Sequence, residues 1–138
     1  MPRALTGHRT LQGLIIALAL AAGAMPAAAQ AGHWSGDWQQ IASNAGRCPS
    51  CRIAVAGDGR TLTVTANNGW LAQLAAGKDG GLTVASGEGR WAGRLADAPF
   101  HIRIVERGMR LYMTMEVFTP GRPKSPIRAV FGRSWVGA

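Results

Sequence analysis

"FHIRIVERGMRLYMTMEV", residues 100–117, decides the fold. Phe100, Ile102 and Ile104 alternate with His101 and Arg103. Beyond "ERGM" (106–109), the residues Met109, Leu111, Met113, Met115 and Val117 alternate with Arg110, Tyr112, Thr114 and Glu116. A period of two puts one set of side chains on a dry face and the other on a wet face of a strand. On a helix the same apolar residues would scatter around the axis. The glycine between the two runs, beside charged residues, is a hairpin signal. The stretch therefore reads as two antiparallel strands joined by a tight turn.

The same pattern continues upstream. "RTLTVTA" (60–66) sets Leu62, Val64 and Ala66 against Thr61, Thr63 and Thr65. "AGDGR" (56–60), "NNG" (67–69), "KDGG" (78–81) and "SGEG" (86–89) supply turns at near-regular intervals. These signals delimit about nine strands: 33–40, 51–56, 60–66, 70–76, 81–86, 89–95, 100–106, 109–118 and 126–135. Beyond residue 32, only "QQIASNAG" (39–46) has room for a short helical turn. Sequential hairpins of this kind leave exposed edges unless the sheet closes on itself. The expectation is all-β: an up-and-down antiparallel meander of about 8–9 strands closed into a small barrel.

The N-terminal segment has a different character. Arg3 and Arg9 precede the apolar run "LQGLIIALALAAGA" (11–24), which is short for a bilayer span, and "MPAAAQA" (25–31) follows with small residues. This is the layout of a secretory leader over residues 1–31, cleaved after Ala29 or, in the preferred reading, after Ala31. Residues 32–138 then form a single barrel domain, periplasmic or secreted, without a transmembrane segment. Losing the two leader arginines brings the formal charge of +8 to about +6.

Export gives meaning to "RCPSCR" (47–52), which holds the chain's two cysteines. Three readings compete. A thioredoxin-like redox centre needs a helix after the motif, but "RIAVAGDG" reads as strand and hairpin. A zinc site needs two further ligands, and only His33 and His101 are on offer. A structural disulfide between Cys48 and Cys51 suits an oxidising compartment and is preferred.

The two ends of the domain carry a resemblance. "SGDWQQIA" contains Gly36-x-Trp38, and "IRAVFGRSW" carries Arg128 and Arg133. Together they resemble the calycin pattern of lipocalins, avidins and small bacterial metalloprotease inhibitors. The resemblance implies that Trp38 closes the barrel bottom and that an arginine of the last strand, preferably Arg133, stacks on it. The motif covers only about fifteen residues.

Catalytic groups are sparse. Asp58, Asp79, Glu88 and Asp97 lie in turns, no two carboxylates share an inward face, and no nucleophile elbow, phosphate loop or H-E-x-x-H occurs. Neither a catalytic residue nor a cofactor nor a metal is expected. Trp70, Trp91, Phe100, Met109, Leu111, Met113, Met115 and Phe131 read as core or as the lining of an apolar cavity, the packed core being preferred. Arg90, Arg94, Arg103, Arg107 and Arg110 form a possible patch for an anionic partner: an acidic protein, glycan or lipid surface. Nucleic acid fits poorly with export and with the lack of interleaved aromatics.

The expected function is a non-enzymatic, exported binding module for an apolar ligand or an acidic partner. One alternative is a periplasmic inhibitor of a secreted protease, reaching its target through His33 and Trp34. Another is a redox or metal-binding protein built on the cysteine pair.

Overall fold

The structure is a computed structural model that describes residues 34–92, 98–121 and 125–134. The leader, His33, Arg94 and Asp97 lie outside the described residues. The alternating runs form eight strands: β1 (Gly36–Ser43), β2 (Arg52–Gly57), β3 (Thr61–Ala66), β4 (Trp70–Asp79), β5 (Leu82–Trp91), β6 (Pro99–Arg107), β7 (Arg110–Val117) and β8 (Ile127–Arg133). Each pairs antiparallel with the next, and β1 pairs with β8, so the meander closes into a barrel. Among the described residues there is no helix, and so none long and apolar enough to cross a membrane. The "QQIASNAG" stretch is strand as far as Ser43.

One expected turn is absent. "SGEG" (86–89) does not separate two strands but lies within β5, so spans 81–86 and 89–95 merge. Its glycines serve packing instead. Gly87 pairs with Leu74 and Gly89 with Ala72, both on the inner face of β4. A Cβ on Gly87 would strike the Gln73 carbonyl, and one on Gly89 would strike the Phe100 ring and come 2.6 Å from the Leu71 carbonyl oxygen. Phe100, registered opposite Gly89, lies across the gap that this glycine leaves. From there it meets Trp70 edge-on at 5.7 Å and Trp91 at 6.3 Å between ring centroids.

The core is the barrel interior. Inner rows such as Leu62–Leu74–Gly87–Ile102–Met115–Ile127 run from strand to strand around the wall. No polar or charged side chain among the described residues is fully buried. Met109 departs from the expected stripe. It occupies the β6–β7 turn beside Gly108 and is 67% exposed, because the turn needs two residues and takes the first methionine as one of them.

Closure depends on the meeting of β1 and β8. Trp38 is registered opposite Arg133, whose guanidinium carbon stands 3.9 Å from the indole centroid. Arg133 Nη1 also donates to the Ser35 carbonyl at 2.6 Å, and Trp38 Nε1 donates to the Trp34 carbonyl at 2.9 Å. Gly36 adopts φ 113°, a conformation that disfavours side chains, and a Cβ there would come within 3.0 Å of Arg133 Nη1. The G-x-W spacing thus leaves a bare position against which the arginine lies.

Two substitutions test this account. Gly89→Ala should destabilise the barrel by about 1–3 kcal/mol in urea titration, the usual cost of overpacking. Arg133→Ala should cost more than Arg110→Ala. A double-mutant cycle between positions 38 and 133 should give a coupling of about 0.5–2 kcal/mol, the range of a cation over an aromatic face.

Candidate functional site

Four places in the barrel hold chemistry. The first is the connection from β1 to β2. Cys48 and Cys51 are joined in a disulfide, with Cα atoms 5.3 Å apart. The Cys51 amide donates to the Cys48 carbonyl at 3.1 Å. Gln39 Nε2 donates to the carbonyls of Pro49 (2.6 Å) and Cys51 (3.0 Å), and Asn67 Nδ2 donates to that of Ser50 (2.7 Å). A strand begins at Arg52, directly after the motif. The loop is thus tied to β1 and to the β3–β4 turn. Among the described residues no three His, Cys, Asp or Glu side chains are close enough to share a metal ion.

The second place is the interior beneath that loop. A cavity of about 80 Å³ is lined by Trp70, Trp91, Met113, Met115, Ile127 and Phe131, among others. Pockets for drug-sized ligands run from roughly 300 to 1,000 Å³. Leu111 and Phe100 are fully enclosed, Met115 and Phe131 are nearly so, and Trp91 is half-buried at the rim. Among the described residues, these side chains fill most of the volume that an apolar ligand would need.

The third place is the outer wall of β6, β7 and β8. Arg103 pairs with Thr114, and Thr114 with Arg128. One step along, Val105 pairs with Tyr112, Tyr112 with Val130, and Val130 with Ala42 of β1. The next outward row holds Arg107 and Arg110, which pair with each other. An apolar row centred on Tyr112, which is 39% exposed, is therefore flanked by two arginines on each side. Arg103 is bonded to Asp79 at 2.7 Å, a pair open to solvent on both sides.

This arrangement corrects the expected patch. Arg90 pairs with Pro99 at the opposite end of β6 from Arg107, roughly 27 Å away at about 3.4 Å per residue. It is not part of the group, and Arg94 lies outside the described residues. Arg128 takes their place. Alternation places each arginine on the outer wall, but only the register between strands tells which ones meet.

The fourth place escaped sequence reasoning. At the end of the barrel that carries the β2–β3, β4–β5 and β6–β7 turns is a basin of about 580 Å³. Lys78, Thr83 and Glu106 form one inner row across β4, β5 and β6, and Arg60 joins them from the β2–β3 turn. In the sequence Lys78 looks like a turn residue and Glu106 like the end of a strand. Both strands in fact run three residues past their last inward apolar residues, Ala76 and Ile104, and they carry these groups inward. Trp34 contributes to the basin floor, being 2% exposed and packed in the core. It is therefore not the outward-reaching residue of the inhibitor reading.

In comparisons with known proteins, the chain matches no family model, no curated protein and no solved structure.

The filled interior leads to a stability test. Met113→Ala should destabilise by about 2–5 kcal/mol in chemical denaturation, as for a buried methionine. A loss well below that range, together with stronger binding of an apolar dye, would mean that the interior is a ligand chamber.

Proposed function

We propose that the protein is an exported, non-enzymatic binding module of calycin type whose working surface is the outer wall of β6, β7 and β8. The calycin assignment is supported by Gly36, Trp38 and Arg133 meeting at the closure of an eight-stranded meander. Export is supported by the leader-like residues 1–31 and by the disulfide.

The observation that carries the binding reading is the row Val105–Tyr112–Val130, with Arg103 and Arg128 on one side and Arg107 and Arg110 on the other. Apolar and aromatic contacts inside a charged rim are how protein partners are held, and arginine and tyrosine are the residue types that contribute most. The partner chemistry that fits is an acidic protein surface bearing apolar side chains. The rim charges set partner choice and encounter rate more than final affinity. A bilayer fits less well. The apolar row is short and runs across the strands of the barrel wall, whereas Met109, the most exposed large apolar side chain among the described residues, is at the barrel end. The small interior cavity favours this surface over an apolar ligand held inside.

The test is titration of the purified protein with a synthetic peptide alternating glutamate with leucine and tyrosine. Phosphatidylglycerol vesicles form a second arm. The peptide should bind, and R107E/R110E should weaken it by about tenfold, corresponding to about 1.4 kcal/mol. Equal binding by that variant, or tight binding to vesicles without binding to the peptide, would overturn the proposal.

A further inference from the structure

The basin lies at the end of the barrel that carries the β2–β3, β4–β5 and β6–β7 turns, and it meets the outer wall at Gly108, next to Arg107. Its polar groups are mostly donors. Lys78 Nζ donates to Thr83 Oγ1 at 2.6 Å, so the threonine oxygen is occupied as an acceptor and its own O–H is left to donate. Among the described residues neither Lys78 nor Arg60 forms a salt bridge, although the Arg60 charge is near enough to Asp58 to help lower its pKa.

The nearest acid in sequence, Asp58, is committed elsewhere. Its Oδ1 accepts the amides of Thr61 and Arg60, each at 2.9 Å, and these bonds hold its carboxyl below the ordinary aspartate range. Glu106 also lines the basin, beside Thr83, so the lining residues carry two positive charges and one negative. Glycines 59, 77 and 108 form part of the wall, so the backbone is open to an incoming group. The volume, about 580 Å³, is in the range of small-molecule sites.

We propose that this basin binds a small ligand through a single carboxylate, held by Arg60, Lys78 and the Thr83 hydroxyl. A guanidinium takes a carboxylate bidentately, and an ammonium adds a compact point charge. With two cations and one carboxylate lining it, the site suits a singly charged anion better than a multiply charged one. The carboxylate comes either from a free organic acid or from the C-terminus of a peptide, since both present the same two oxygens.

Calorimetric titration of the full chain with N-acetylphenylalanine, its amide and the tripeptide Ala-Ala-Phe distinguishes these cases. At least one of the two acids should bind with a Kd of about 1 mM or tighter, and the amide should not bind. Binding of N-acetylphenylalanine alone identifies a free acid; tighter binding of the tripeptide identifies a chain terminus. Lys78→Met and Arg60→Gln, both at exposed positions, should each weaken the acid by about tenfold with the melting temperature unchanged. Arg128→Glu, on the outer wall away from the β6–β7 turn, should leave acid binding intact, so failure of the outer-wall reading is distinguishable from failure of this one. Equal binding of acid and amide, no binding of either acid, wild-type affinity in both basin variants, or loss of binding in the outer-wall variant would overturn the assignment.

Discussion

The guanidinium of Arg133 over the indole of Trp38 marks the constraint on which the barrel depends: the first strand must meet the last. Every other pairing joins consecutive strands through short or moderate connections, which costs little chain entropy. The β1–β8 pairing joins residues almost a hundred positions apart, and without it the sheet has two open edges. The contact is specific as well as apolar. The arginine needs a bare Gly36 beside it, a carbonyl at Ser35 to receive one N–H, and an aromatic face beneath it. A lysine would supply the charge but not the planar fork.

Closure then dictates what the interior holds. Eight strands enclose little more space than side chains can fill. Trp70, Phe100, Ile102, Ile104, Leu111 and Met115 are among the side chains that occupy it, and Gly89 of β5 makes room for the Phe100 ring. The same strand that looks broken in the sequence is thus the place where the large aromatic residues gain room. A barrel packed in this way leaves its wall and its ends as the surfaces open to other molecules.

Polar groups follow that division. The β1–β2 loop is held by the disulfide and by amide bonds from Gln39 and Asn67. The outer wall of β6–β8 sets an apolar row between arginines. The opposite end collects Arg60, Lys78, Thr83 and Glu106 around an open basin. These last groups sit where the inner face of the sheet runs past the apolar core, so side chains that point inward reach solvent and are not buried. That is why charged residues are tolerated at inward positions of β4 and β6.

The sequence by itself determined the all-β class, most of the strands and their facing, and the sequential antiparallel order. A period of two, broken by glycine-bearing turns, admits no other secondary structure. It also marked the cysteine pair and the two ends that meet. It misled at "SGEG", because glycines that bend or thin a strand look the same in one dimension as glycines that reverse the chain. It misled at Met109 for a related reason: alternation does not tell where a turn begins, and a one-residue difference moves a side chain from core to solvent. Tertiary structure alone decided which residues become neighbours across strands. Register made Arg128, not Arg90, the companion of Arg103, and it aligned Lys78, Thr83 and Glu106 from three separate strands. Such juxtapositions depend on strand stagger around a closed sheet, a quantity set by the packing of the whole interior and by no local stretch of chain.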